Sequence, residues 1–159
     1  MSSYSTARVL QPRKGPTYSI LGELYTIKMS GADTGGAYAL FEFMIPPDHG
    51  PPPHVHTRED ECFYILEGEL TFYVADERLV LGAGGFLSAV RNVPHRFRNE
   101  GSRVARALCM VTPAGLDQYF MEVGELVKDP ANPPPFNPAQ AQVLVEHSHR
   151  YGLRILTHG

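Results

Sequence analysis

The sequence predicts an all-β fold, a barrel or sandwich of short strands with one or two helices at its C-terminal end. Runs rich in Val, Ile, Phe, Tyr and Leu recur about every 8–12 residues between Gly and Pro clusters, the rhythm of a chain that turns back on itself repeatedly. Within the runs, side chains alternate between apolar and polar with the period of two expected of half-buried strands. Beyond Pro113 the period changes: Leu116, Tyr119, Phe120 and Val123 fall at helical spacing.

The expected strands are Ile20–Met29, Ala37–Ile45, Glu61–Leu66, Leu70–Ala75, Arg78–Leu81, Phe86–Ala89, His95–Asn99 and Arg103–Val111. Tight hairpins are expected around Glu67-Gly68-Glu69 and around Asp76-Glu77. Alternation places Glu61, Phe63 and Ile65 on one face and Cys62, Tyr64 and Leu66 on the other. By the same rule Leu70, Phe72 and Val74 share a face, and His95, Phe97 and Asn99 point inward while Arg96 and Arg98 point out. A helix is expected over residues 114–123, followed by the Pro-rich connection 130–138. Asn137-Pro138 supplies an N-cap and a first-turn proline for a second helix reaching about His149, and Gly152 ends it. Leu153–Leu156 then adds a short strand or packs as a tail.

One domain is expected over the 159 residues, with a barrel core at about 18–112 and a helical extension at about 113–159. A chain of this size buries enough surface to fold without a disulfide. Lys plus Arg number 14 against 17 Asp plus Glu, a net charge of −3, which argues against nucleic-acid or anionic-membrane partners. Arg91, Arg96, Arg98, Arg103 and Arg106 form a local basic cluster, read as outward strand positions or an oligomer contact. Met1–Thr6 carries no apolar secretory segment, and no run approaches the roughly 20 residues of a membrane helix. Cys62 and Cys109 lie on separate strands without a Cys-x-x-Cys pair and read as free thiols, in keeping with a cytoplasmic protein. A homodimer is expected, because open sheets leave edges to cover and the outer face at Arg96 and Arg98 can meet acids on a second copy.

The chemistry is concentrated in Gly50-Pro51-Pro52-Pro53-His54-Val55-His56-Thr57-Arg58-Glu59-Asp60-Glu61. In extended chain His54 and His56 project from one face, and the prolines before them stiffen the approach. Glu61 opens the next strand after a step in which the chain can turn, and inward-facing His95 comes about forty residues later. Three imidazoles and a carboxylate suit a divalent transition metal with sites left for water, substrate or oxygen; Fe, Mn, Ni, Co, Cu and Zn all accept this set. His147 and His149 repeat the His-x-His letters on a helix, where they lie about 200° apart and cannot grip one ion. His49 reads as a surface or pocket-mouth residue, and Cys62 as a packing residue.

This stretch resembles the first motif of the cupin superfamily, His-x-His, three or four residues, Glu, six residues, Gly, here His54, His56, Glu61 and Gly68. The second motif, His, three residues, Asn, is matched by His95 and Asn99 after Pro94. The resemblance implies a jelly-roll barrel, the double-stranded β-helix, with His54, His56, Glu61 and His95 as metal ligands. Gly35-Gly36, Pro46-Pro47 and the Thr112-Pro113-Ala114-Gly115 turn are similar to small single-domain cupins related to quercetin dioxygenases. Two positions depart from the pattern. Gly50 stands closer to the histidine pair than usual, and Val90-Arg91-Asn92 replaces Pro-x-Gly, where Asn tolerates the left-handed backbone of the missing Gly.

The resemblance implies a metal-dependent dioxygenase acting on a small aromatic, flavonol-like or enolic substrate. In it Glu61 serves both as ligand and as the base that accepts a proton from that substrate. Another cupin enzyme, an isomerase or hydrolase, and a non-catalytic small-molecule binder are the alternatives. Phe63, Phe72 and Phe97 share a face with the ligands, joined by Phe41, Phe43 and Met110. They form either the barrel core or the wall of a pocket for a flat apolar or phenolic molecule.

Overall fold

The computed structural model describes residues 7–156; Met1–Thr6, which bears on the secretory expectation, lies outside the described residues. Two antiparallel sheets enclose the core. The larger carries seven strands: β1 (Thr17–Ile20), β2 (Glu23–Met29), β3 (Ala39–Ile45), β5 (Asp60–Glu67), β8 (Phe86–Ala89), β10 (Ala105–Thr112) and the two-residue β11 (Glu125–Leu126), in the order β11-β1-β2-β3-β10-β5-β8. The smaller has the order β12-β4-β9-β6-β7, with β4 (His54–His56), β6 (Glu69–Val74), β7 (Glu77–Gly82), β9 (His95–Arg98) and β12 (Leu153–Ile155). The outer helices are α2 (Leu116–Val123) and α3 (Gln140–Ser148), and a one-turn helix, α1 (Gly31–Thr34), joins β2 to β3.

The alternation read from the sequence is the burial that forms. Along β5, Glu61, Phe63 and Ile65 are buried while Tyr64 and Leu66 are exposed. Along β9, His95 and Phe97 are buried and the two arginines between and after them are half-exposed. Phe41, Phe43, Phe63, Phe72 and Phe97 meet between the sheets in tilted and edge-to-face contacts of 5.0–6.2 Å, each adding to the gain from burying an aromatic ring.

Two segments differ from expectation. The segment 20–29 is two strands, because Leu21 and Gly22 take positive φ values of 49° and 83° and form a two-residue hairpin. Glu67-Gly68-Glu69 is a corner where the chain passes from the larger sheet to the smaller: β5 pairs with β10 and β8, and β6 with β7 and β9. A β-carbon on Gly68 would stand 2.8 Å from the Val104 carbonyl oxygen, so the crossing is too close for any other residue. The expected hairpin at Asp76-Glu77 does form, joining β6 to β7. The last strand, one of two outcomes left open by the sequence, is realised: β12 pairs with β4 along Leu153↔His56 and Ile155↔His54. α1 had no counterpart in the sequence reading, although Ser30 and Asp33 build a reciprocal cap around it.

The arginines sit at outward positions and meet local acids or an aromatic ring. Arg91 bonds Asp60, Arg106 bridges Glu42 and Glu67, Arg98 reaches Asp48 and Arg96 lies over the Tyr73 ring. Among the described residues no helix is long and apolar enough to cross a membrane.

Candidate metal centre

β4, β5 and β9 bring the four expected residues together. One donor atom from each of His54, His56, Glu61 and His95 lies within 4.8 Å of the others, and all four residues are buried. The flanking loop is built for close approach. A β-carbon on Gly50 would stand 2.1 Å from the Phe97 carbonyl oxygen, so only glycine lets the segment before the histidines lie against β9. Asn99, fully buried, ends β9 as a clip, its amide donating to the Ile45 and Arg103 carbonyls at 2.9 and 2.7 Å. Asn92 takes a φ of 68°, the left-handed backbone expected of it in place of Gly.

Hydrogen bonds set the imidazole tautomers. His54 Nδ1–H donates to the Pro52 carbonyl at 2.9 Å, His95 Nδ1–H to the Val93 carbonyl at 3.1 Å, and His56 Nδ1–H to Glu59 at 2.7 Å. Each ring therefore turns Nε2 toward the centre. His56 Nε2 and His95 Nε2 stand 3.1 and 2.9 Å from the same oxygen, Oε2 of Glu61. With Nδ1 carrying the proton, those nitrogens and that oxygen are all lone-pair donors. They can share this space only around a positive charge, either a proton or a metal cation. The donor set thus fits a divalent transition ion, and the carbonyls and Glu59 supply the outer contacts that hold metal-binding histidines in place.

The protonation pattern has the same cause. For His56, burial opposes the charge, but Glu61 and Glu59 outweigh it and push the imidazole up to about 10. Burial also opposes ionisation of Glu61, yet His56 and His95 hold its carboxyl well below the usual carboxylate range. His54 is driven down to about 3 by burial and by its neighbours His95 and His56, so its Nε2 keeps a free lone pair. A bound cation would replace the proton shared between His56 and Glu61.

Two neighbours of the centre escaped the sequence reading. Glu59, 2% exposed, is the partner of His56; an acid three residues beyond the histidine pair was its signal. Cys109, on the inward phase of β10 beside β5, donates from its thiol to Glu61 Oε1 at 3.2 Å, and burial and Glu61 push that thiol well up. Met110, grouped with the pocket residues from sequence, falls on the opposite phase of β10 and is only partly buried. His147 meets Glu122 on the surface, away from the centre.

A cavity of about 480 Å³ opens beside the cluster. His54, His56 and Glu61 line it from within; Tyr25, Phe43, Phe97, Tyr119, Phe120 and Phe136 supply aromatic wall. Of the three phenylalanines proposed for a pocket, Phe97 is on that wall. Phe63 and Phe72 are not, because their rings pack on each other 5.0 Å apart in the core between the sheets. The far wall comes from the C-terminal extension, with Leu116 of α2 and Ala141, Leu144 and Val145 of α3.

Comparison with known proteins places this geometry. The sequence profile of the family described as Cupin domain matches residues 41–111, from β3 to β10 and across all four donor residues. Quercetin 2,3-dioxygenase of Bacillus subtilis (strain 168) is 24% identical over 117 residues, 74% of this chain; the chain spans 34% of that protein's length. The structure of KdgF from Halomonas sp. superposes with a TM-score of 0.62 at 14% identity, covering 72% of this chain and 99% of that one. A predicted oxalate decarboxylase from Thermotoga maritima superposes with a TM-score of 0.59 at 22% identity, covering 67% and 99%. These two structural likenesses show the fold, a double-stranded β-helix. Fold, buried three-histidine and one-glutamate cluster, and family profile agree: residues 41–111 are a cupin domain.

Proposed function

We propose that this cupin is a metal-dependent dioxygenase acting on a small aromatic, flavonol-like or enolic substrate. The observation that carries the reading is the placement of Glu61 and two of the histidines at the wall of a largely apolar, aromatic cavity of drug-like volume. No Lys or Arg lines that cavity, which suits a neutral ring better than a phosphorylated sugar. The distant likeness to a quercetin dioxygenase points the same way.

A bound transition ion would supply Lewis acidity and one-electron chemistry at His54, His56, Glu61 and His95. The chain's own contribution is orientation and proton transfer. Glu61 Oε2 faces His56 and His95 while Oε1 accepts from Cys109, so the carboxylate can turn from one contact to another and receive a proton from an acidic hydroxyl in the cavity. Leu116 of α2, Ala141, Leu144 and Val145 of α3, and Phe136 add apolar lining to the chamber.

The test is oxygen uptake by the metal-loaded protein with quercetin and related enols, scanned over Fe, Mn, Ni, Co, Cu and Zn. Uptake with ring-cleaved product supports the reading. Turnover of an enol without oxygen would assign an isomerase or hydrolase instead, and saturable binding without product a binding module. A homodimer belongs to the same proposal: Tyr64 and Phe86, cross-strand partners on the outer face of the larger sheet, are 47% and 61% exposed. A light-scattering mass of two chains supports it, and a mass of one chain overturns it.

A further inference from the structure

Within the apolar chamber one polar group is left over by the metal cluster. Glu23, at the start of β2, is 4% exposed and lines the cavity two residues before Tyr25 on the same face of the strand. The Tyr25 hydroxyl donates to Glu23 Oε2, and no other hydrogen bond reaches that carboxyl group among the described residues. Among the described residues no fully enclosed side-chain oxygen lacks a partner, so the second oxygen of Glu23 opens onto the cavity rather than into the core. The imidazole of His49, which also lines the cavity, has its Nδ1–H occupied by the Pro47 carbonyl at 2.9 Å, and among the described residues no Lys or Arg lines the chamber.

An acid held so deeply costs stability unless something completes its hydrogen bonding. Tyr25 alone does not, and its ring is fixed for another purpose, stacked 4.6 Å from Phe120 and set edge-on 4.5 Å from Phe43. These rings form an apolar wall of the cavity beside Glu23. A flat ring laid against that wall can present its rim to the free carboxyl oxygen.

We propose that Glu23, oriented by Tyr25, is a ligand-recognition residue that accepts a hydrogen bond from a hydroxyl on an aromatic ring. That hydroxyl is distinct from the acidic group that faces Glu61. The inference deepens the proposed function, since it rests on the chamber being the substrate site, and it narrows the substrate to an aromatic molecule with hydroxyl groups at two places on its rim. Burial lifts the Glu23 carboxyl to about 7 against the smaller, lowering influences of Tyr25 and His49, so near neutrality it accepts a neutral hydroxyl without requiring a cationic partner.

The test uses fragments that require no turnover. The full-length protein, loaded with redox-inert zinc, is titrated calorimetrically with p-cresol, toluene and 4-methylbenzylamine. The proposal expects p-cresol to bind at least about tenfold more tightly than toluene, the scale of one hydrogen bond to a buried acid. Glu23→Leu should reduce that ratio to within about twofold, and Tyr25→Phe, which removes the hydroxyl that orients the carboxyl, should lower it only part of the way. In the parent protein, infrared difference spectra should show a carboxyl band shifted by p-cresol and not by toluene, which keeps the test alive if Glu23→Leu fails to fold. A p-cresol preference that survives Glu23→Leu, no preference in the parent, an unmoved carboxyl band, or tighter binding of the amine each overturns the proposal, even if dioxygenase activity is found. Loss of the dioxygenase reading alone would leave the fragment result standing.

Discussion

The thiol of Cys109 donates to Oε1 of Glu61 at 3.2 Å, across the pairing of β10 with β5. A weak donor on one oxygen leaves the other free to turn toward His56 and His95, so the carboxylate is steadied without being locked.

Replacing Cys109 by Ala removes that donor and leaves the enclosed Oε1 of Glu61 without a partner. Metal affinity, measured by competition with a chromophoric chelator, is expected to fall about 10-fold, the low end for changes that disturb a ligand's orientation, because a thiol is a weak donor. Cys109→Ser, which restores a donor, should recover most of it. In the parent, the buried and upshifted Cys109 thiol should resist iodoacetamide until the protein unfolds, while half-buried Cys62 is alkylated first; peptide mass spectrometry distinguishes them.

Glu59→Gln should cost about 10–100-fold in metal affinity although Glu59 is not one of the four donors. It removes the carboxylate that holds the His56 tautomer at 2.7 Å. Glu61→Gln is expected to lose turnover far more than metal, because three histidines remain, whereas His95→Ala should lose both together. Metal content by elemental analysis, beside oxygen uptake, separates the three variants.

The four donor residues were legible because each sits where period-two geometry points it inward: His54 and His56 along β4, Glu61 on the phase of Phe63 and Ile65, and His95 on the phase of Phe97. Their supports were harder to read. Glu59 acts from the turn before β5, where no periodicity applies, and Cys109 carries the same apolar character as the core residues beside it. Glu23 was passed over because the Leu21-Gly22 hairpin was read as the interior of one strand, which hid that a charged residue begins β2 on its inward face. The Glu67–Glu69 corner has hairpin letters; only the pairing of β6 with β9 shows that the chain has changed sheets.

Gln140 fastens α3 over the chamber. Its amide accepts from Leu21 N–H at 2.9 Å and donates to the Ser19 carbonyl at 3.0 Å, tying the helix to the β1–β2 hairpin. Gln140→Ala should lower stability by about 1–2 kcal/mol, the worth of two such bonds. It should also speed proteolysis within the 130–139 connection; thermal melting and limited elastase digestion measure the two effects.

Glu23 also makes a pH prediction. Its folded pKa of about 7 lies above the ordinary 4.5, so between those values the folded state holds a proton that the unfolded state releases. Stability contributed by this group is therefore full below about pH 4.5, falls as the pH rises toward 7 and is level above it, a loss on the order of 3 kcal/mol. Glu23→Gln should flatten the urea-derived stability curve over that interval, whereas an unchanged slope would show that another group sets it.

The strand that carries His54 and His56 is three residues long and is hydrogen-bonded on one side to β9 and on the other to β12, near the C-terminal end of the described chain. A ribosome that has not yet released residues 153–155 therefore presents a nascent barrel whose histidine strand is flanked on one side only. Its backbone gains the second flank only once synthesis has passed Ile155. An ion held by the cluster would meet a histidine strand flanked on both sides only after translation of the barrel rather than during it.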